Sequence, residues 1–157
     1  MIKAHNISKK FRTRHSRVDA LKNVSLHITK GDFVSITGPS GSGKSTLLLT
    51  LGGMSAPHEG QITWNEESVY DWGLRKRAEW RAQTVGFMFQ TFNLIPYLNV
   101  FENIAIADRL SGKTTIDREK ILKITDRMKL SERLDHLPRE LSVGQQQRVA
   151  MARALIK

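Results

Sequence analysis

One glycine-rich segment has the composition and spacing needed to bind phosphate. It reads Gly38-Pro39-Ser40-Gly41-Ser42-Gly43-Lys44-Ser45-Thr46 and fits the pattern G-x-x-x-x-G-K-[ST] in full. The glycines let backbone N–H groups turn inward around phosphate oxygens, where a Cβ would intrude. Lys44 supplies a positive charge for the β- and γ-phosphates. Ser45 offers a hydroxyl to Mg²⁺, with Thr46 beside it as a helper.

The flanking residues predict the strand and helix that such a loop requires. The apolar run Phe33–Thr37 predicts a strand that ends at Gly38-Pro39. The run Lys44–Leu51 predicts a helix that Gly52-Gly53 ends, and its N-terminal dipole would face the same anion. The alternative is a flexible Gly/Ser turn. The phosphate-binding interpretation indicates a nucleoside triphosphate ligand but does not identify a reaction.

A second segment, residues 141–155, begins a helix with a polar cap. Ser142 is a good N-cap residue, and the run after it has helical character. A hydroxyl and Gly144 at a helix start can form another phosphate-binding end. A plain capped helix is equally compatible with this spacing, so both interpretations stay open here.

Composition narrows the class of protein. The 157 residues carry 25 Lys and Arg against 15 Asp and Glu, a formal charge of +10, with 39% apolar residues and no cysteine. This excludes a disordered chain, a disulfide scaffold and thiolate zinc sites. No run is long enough to span a bilayer, which favours a soluble or peripheral protein. The basic charge is compatible with nucleic acid, anionic lipid or an ordinary solvated face.

The remaining pattern predicts a mixed first part and a helical second part. Strands are predicted at residues 2–7, 22–28, 33–37, 61–64 and 85–89, with a basic turn at 12–17. Helices are predicted at residues 44–51, 74–81, 99–110, 116–128 and 143–156.

The order of these segments resembles the nucleotide-binding domain of ABC transporters, most of all the branch serving lipoprotein release and macrolide-type efflux. The residues that carry the resemblance are 20–26, 38–46, 51–54, 86–90, 92–96, 102–104 and the signature-like run 141–155, which has Val143 where the family usually has glycine. The resemblance implies an α/β fold, a P-loop NTPase core of ABC type with an N-terminal β-rich part and a helical subdomain. It implies an ATP-binding core at 1–90, a helical signalling subdomain at 91–141 and the signature helix at 142–157.

The resemblance also assigns roles to single residues. Phe11 takes the place of an aromatic ring that stacks on adenine, although a half-buried turn residue is the alternative. Gln90 takes the place of the glutamine that contacts Mg²⁺ or the attacking water, although it could be a polar strand end. Apolar residues after it could line a groove for a coupling helix of the membrane subunit, or pack in the core: Phe92, Leu94, Pro96 and Leu98.

The implied mechanism needs two copies. In the family, ATP lies between the phosphate loop of one domain and Ser142, Val143, Gly144 and Gln145 of the other, arranged head to tail. The implied ligands are ATP and Mg²⁺, the latter held by Ser45 and Gln90. The implied partners are a second ATPase subunit and an integral membrane permease, with no nucleic acid. The implied location is cytoplasmic, at the inner face of the cell membrane, and export is the expected direction.

The resemblance does not extend to three motifs of the family. These are the strand ending in Asp-Glu (Walker B), the D-loop and the switch histidine, and without them we expect the core to be incomplete at its C-terminal side. The nearest mimic, Ile104–Asp108, falls in a helical pattern and is followed by Arg109. Lys44 and Gln90 are the catalytic candidates that remain. We therefore expect slow or absent ATP hydrolysis by this chain alone. The alternatives are a non-hydrolysing nucleotide-binding fragment and a soluble ABC-type ATPase without a transport role.

Overall fold

The computed structural model describes residues 1–12, 17–112 and 115–157. These residues form two compact units, Met1–Arg77 and Ala78–Lys157. Most of the predicted basic turn at 12–17 lies outside the described residues. The domain boundaries predicted after residues 90 and 141 stay predictions.

The first unit is built on a four-stranded antiparallel sheet. Its strands are β1 (Ile2–Arg12), β2 (Arg17–Ile28), β3 (Glu59–Trp64) and β4 (Glu67–Ser68), in the order β2-β1-β3-β4. The long hairpin pairs Ile2 with Ile28 and Phe11 with Val18. Ile7 and Ile62 are fully buried, so one face of the sheet forms the core of this unit.

Helix α1 (Lys44–Leu51) buries Leu47, Thr50 and Leu51 in the first unit. The Tyr70 hydroxyl fixes the chain after this helix, because its single proton is shared between the carbonyls of Thr50 at 2.7 Å and Ser55 at 2.9 Å. The Thr50 carbonyl also accepts from Gly53 N at 3.2 Å, so the hydroxyl adds to the bonds at the end of the helix.

The second unit is helical. Helix α2 (Leu74–Thr84) leads into it, followed by α3 (Val100–Leu110), α4 (Arg118–Arg127) and α5 (Val143–Leu155), with 3-10 turns at Ser131–Arg133 and Pro138–Glu140. Apolar side chains from α3, α4, α5 and the segments between them make its core: Val100, Ile104, Ala105, Ile121, Leu130, Leu141, Val149, Ala152 and Ile156. Asn99 and Ser142 start α3 and α5 with capping boxes, as their residue types favour.

Two strand predictions are wrong. Residues 33–37 and 85–89 form no strand. The strand predicted at 61–64 and all five helices are confirmed to within a few residues, and the strands predicted at 2–7 and 22–28 are confirmed but each is five residues longer. A strand needs a neighbour for its N–H and C=O groups, and neither segment joins the ladder that the described residues form. Phe33, in the first of them, is 98% exposed. Ile104–Asp108 lies within α3 with Asp108 buried, so the mimic of a catalytic strand is helical.

A buried amide holds the loop before α3. Asn103 is fully buried, and its Oδ1 accepts from Ile95 N at 2.8 Å. The two protons of its Nδ2 are shared among the carbonyls of Ile95, Leu98 and Asn99, which lie 3.1, 2.7 and 3.0 Å away. One side chain thus supplies hydrogen bonds to backbone groups of residues 95–99, where the carbonyls of Ile95 and Asn99 also accept from the amides of Leu98 and Asn103.

We expect Asn103→Leu to lower the free energy of unfolding by about 3 kcal/mol, because a side chain of similar size cannot bond the part-buried Ile95 amide and Leu98 carbonyl. Chemical denaturation of the purified chain measures the change. The control is Gln147→Leu, which removes an exposed amide from α5 and should stay within about 0.5 kcal/mol of the parent. Equal effects of the two substitutions would contradict the role given to Asn103.

Candidate functional site

The glycine-rich loop owes its shape to backbone conformations that only glycine adopts easily. Gly38, Gly41 and Gly43 have φ of +149°, +80° and +90°. Gly43 is also the N-cap of α1, and a Cβ built on it would lie 2.1 Å from the carbonyl oxygen of Ala20 in β2. Any larger residue there would push the start of α1 away from β2.

Lys44 lies over this loop. Its ammonium donates to the carbonyls of Gly38 at 2.9 Å and Pro39 at 2.7 Å, and it is 3.4 Å from Ser42 Oγ. The backbone N–H of Ser42 donates to Pro39 O at 3.3 Å. The loop therefore holds the lysine ammonium by its own oxygen atoms.

A pocket of about 430 Å³ opens beside the loop in the first unit. Its walls are residues 19–22 and Val24 of β2, residues 36–39, Ser42, Gly43, Lys44 and Leu47. Among these residues, Lys22 Nζ lies 3.7 Å from Asp19 Oδ2. Phe11 is not among the residues that line it; its ring is 44% exposed on β1, with Lys9 Nζ 5.7 Å from its centroid. The adenine-stacking role of Phe11 stays a prediction.

The first turn of α1 suits an anion and a hard cation. It carries no acidic residue, so the N–H groups and positive dipole end of the helix are not neutralised by the chain. Ser45, in this turn, is exposed and carries a hydroxyl oxygen of the kind that Mg²⁺ accepts. The loop, Lys44 and this turn fit a triphosphate with its magnesium ion.

The second motif begins α5 in the second unit. Ser142 Oγ accepts from Gln145 N at 3.3 Å, while Ser142 N donates to Gln145 Oε1 at 2.7 Å. Val143 is 70% exposed, and a Cβ on Gly144 would meet nothing closer than Arg148 Nη1 at 3.8 Å. No neighbour within the described residues requires a glycine at this position.

Gln90 is exposed at a turn in the second unit. Of the apolar residues that follow it, Phe92, Leu94 and Leu98 are half-buried and Pro96 is exposed, and Leu94 packs against the core of this unit. The core-packing alternative is therefore correct for Leu94. The exposed apolar surface of this segment lies instead at Tyr97, which is 78% exposed.

Sequence reasoning missed two basic residues that contact the segment around Gln90. Arg153 donates to the carbonyls of Asn93 and Phe92, and Lys157 donates to those of Arg81 and Val85. Both sit in or beside a helix end rich in ordinary helix formers, so no local pattern distinguished them from solvated basic residues.

The glycine-rich loop, its lysine and the helix that it begins define a P-loop nucleotide-binding protein. A family model described as "ABC transporter" matches residues 21–157. The lipoprotein-releasing system ATP-binding protein LolD 1 of Rhodopirellula baltica is 41% identical over 99% of this chain and 69% of its own length. The macrolide export ATP-binding/permease protein MacB of Bdellovibrio bacteriovorus is 41% identical over 99% of this chain and 24% of its own.

Solved structures of ABC transporter cassettes also match this chain. The chain is similar to the dimeric structure of MJ0796, described as a bacterial ABC transporter cassette, with a TM-score of 0.92, 39% identity and coverage of 99% of this chain and 69% of that one. A post-hydrolysis state of the same cassette bound to ADP and Pi matches at 38% identity with the same TM-score. The chain belongs to the ABC transporter family, and the α/β fold of its ATP-binding cassette is confirmed. Among residues 1–12, 17–112 and 115–157, no helix is long and apolar enough to cross a membrane.

Proposed function

We propose that this chain is the ATP-binding subunit of an exporter and that two copies, arranged head to tail, enclose ATP between residues 38–46 of one and residues 142–145 of the other. The observation that carries the proposal is the loop that ends at Gly43, where the Lys44 ammonium lies on the loop carbonyls and α1 begins with no side-chain cap. The similarity to a dimeric cassette supports the second copy.

At the first half of the site, the loop amides and Lys44 bind the β- and γ-phosphates. Magnesium would be held by Ser45 and Gln90 together with phosphate oxygens, and it would neutralise charge on the transferred phosphate. Phe11 provides a ring for adenine. Each of these roles follows from residue type and from the match to the family's motif.

At the second half, the start of α5 offers Ser142 and the amide groups of a helix with no acidic residue in its first turn. Gly144 has open space on its own chain, so a requirement for glycine would come from a ligand that approaches from outside. A triphosphate bound to a second copy is such a ligand. Val143 stands where the family usually has glycine, but its side chain is uncharged and adds no repulsion toward the phosphate.

The closing of two copies on ATP would drive a membrane permease, and ATP hydrolysis would release them. The relatives' names support this, since one belongs to a lipoprotein-releasing system and another combines ATP-binding and permease functions in macrolide export. The chain would then sit at the inner face of the membrane. Because Lys44 and Gln90 include no carboxylate or imidazole to accept the proton of water, we infer slow hydrolysis by this chain alone.

We expect Gly144→Asp to separate nucleotide binding from dimer formation. A carboxylate in the first turn of α5 favours the isolated helix through its dipole, but it would repel a triphosphate carried by a second copy. The variant should bind a non-hydrolysable ATP analogue as the parent does, while the analogue-driven shift from monomer to dimer in sedimentation velocity is lost.

The matched control is Gln147→Asp, which puts the same charge on an exposed position one turn further along α5. It should dimerise with the analogue to at least half the extent of the parent. An unchanged dimer fraction in Gly144→Asp would contradict the two-copy site. A parent chain that binds no nucleotide would contradict the proposed function as a whole.

A further inference from the structure

The turn that follows Gln90 is held in a conformation that its residues do not favour. Phe92 and Asn93 have φ of +59° and +48°. Asparagine tolerates the left-handed region, but a bulky aromatic residue rarely adopts it. Two consecutive non-glycine residues with positive φ persist only where surrounding contacts hold them, and such backbone strain is concentrated at functional segments.

The strongest of the contacts comes from α5. Arg153 Nη1 donates to Asn93 O at 2.7 Å, and Arg153 Nη2 donates to Phe92 O at 2.6 Å. The planar guanidinium therefore binds the two carbonyls of the strained turn at the same time. Burial lowers the pKa of the Arg153 guanidinium, although arginine stays charged in proteins, so these are charge-assisted bonds.

Two further contacts bind the chain on the other side of Gln90 to the same end of α5. Lys157 Nζ donates to Arg81 O at 2.9 Å and Val85 O at 2.7 Å, at the end of α2. A Cβ on Gly86 would lie 2.0 Å from Ala154 O, so the backbones of residues 86 and 154 are in direct contact. Residues 153–157 therefore hold the segment 85–93 on both sides of Gln90: at residues 85 and 86 before it, and at residues 92 and 93 after it.

Helix α5 joins this contact to the signature motif. It begins at the Ser142 capping box, and Arg153 lies about 16 Å along its axis at the rise of an α-helix. Val149, Ala150 and Ala152 are buried in between, so the helix is packed along its length. A displacement of its first turn is therefore carried to its last turn with little bending.

We propose that Arg153 is a positioning residue that holds the turn after Gln90 and makes Gln90 and the Ser142 end of α5 move as one body. The inference rests on the proposed two-copy site, because engagement of Ser142 by a second copy's nucleotide is the event that it transmits. The glutamine would then change position when α5 is engaged, without any contact between Gln90 and residues 142–145.

Hydrogen exchange on the full chain tests this in two comparisons, with Arg153→Gln, Arg153→Lys and the control Arg109→Gln, an exposed arginine in the last turn of α3. Without nucleotide, Arg153→Gln should speed exchange of the Phe92 and Asn93 amides at least tenfold and leave the α5 amides unchanged. Arg153→Lys keeps one donor to the turn and should show a smaller increase. Arg109→Gln should match the parent.

With Mg²⁺ and a non-hydrolysable ATP analogue, the parent should show slower exchange in residues 142–147 and also in 86–95. Arg153→Gln should bind the analogue within twofold of the parent and keep the response of 142–147, but the response of 86–95 should disappear. A merely structural arginine would not separate these two responses. If Arg153→Gln does not fold, Arg153→Lys is compared instead: it should keep the response of 142–147 and weaken the response of 86–95.

Two results would overturn the proposal. One is unchanged exchange of Phe92 and Asn93 without nucleotide, which would show that Arg153 does not hold the turn. The other is a response of 86–95 to the analogue that survives in Arg153→Gln. If the parent chain binds no analogue, the proposed function and the transmission both fail, and the first comparison still decides whether Arg153 holds the turn.

Discussion

Replacing Lys44 with alanine is expected to weaken binding of Mg-ATP by about 10- to 100-fold. The loss corresponds to one or two charge-assisted hydrogen bonds to phosphate, at about 1.5–3 kcal/mol in total. The loop holds the Lys44 ammonium 2.7–2.9 Å from the carbonyls of Pro39 and Gly38. Isothermal titration with a non-hydrolysable ATP analogue measures the change, and thermal unfolding should show a folded variant.

The control for this experiment is Lys30→Ala. Lys30 is exposed in the turn after β2 and lies outside the residues that line the pocket. Lys30→Ala removes the same charge from the same unit. It should change the affinity for the ATP analogue less than twofold at 0.15 M salt, where distant charges are screened. Equal losses in the two variants would mean that Lys44 acts only through net charge and would contradict its assignment to the phosphates.

Replacing Gly43 with alanine is expected to lower the free energy of unfolding by about 3 kcal/mol and to abolish measurable nucleotide binding. The φ of +90° costs a non-glycine residue about 1–2 kcal/mol, and the new Cβ would lie 2.1 Å from Ala20 O. Relief of that overlap must move the start of α1, which carries Lys44 and Ser45, or deform β2. Chemical denaturation and titration with the analogue measure the two effects.

Gly41→Ala separates the two causes. Gly41 has a similar φ of +80°, but a Cβ built on it meets nothing within 4 Å. It should therefore cost only about 1 kcal/mol, the conformational part. If both variants lost the same stability, the close approach between Gly43 and β2 would have no energetic importance, and the loop would be less constrained than the structure indicates.

The parts of the site that local sequence controls were predictable. The phosphate loop needs glycines at fixed offsets and a helix immediately after it, and α1 begins at Lys44 as predicted. Ser142 caps α5 because a hydroxyl three residues before Gln145 can close a capping box. In each case the interacting groups lie within a few residues of one another, so residue type and spacing decide the outcome.

The parts that depend on distant partners were not predictable. Residues 33–37 and 85–89 have strand-like composition, but pairing is a property of a neighbour that composition does not describe. Arg153 contacts carbonyls 60 and 61 positions earlier in the chain, so only the fold brings it to the turn after Gln90. Sequence patterns near Asn103 likewise give no sign that one amide serves the backbone of 95–99.

A crystal structure of the chain with Mg²⁺ and a non-hydrolysable ATP analogue tests the central claim most directly. We expect the β- and γ-phosphates within hydrogen-bonding distance of the amides of residues 41–45 and of Lys44 Nζ, with the lysine released from Gly38 O and Pro39 O. We also expect Ser142 of a second copy to face the γ-phosphate. An analogue bound elsewhere, or a loop that keeps Lys44 on its own carbonyls beside a bound analogue, would contradict the account.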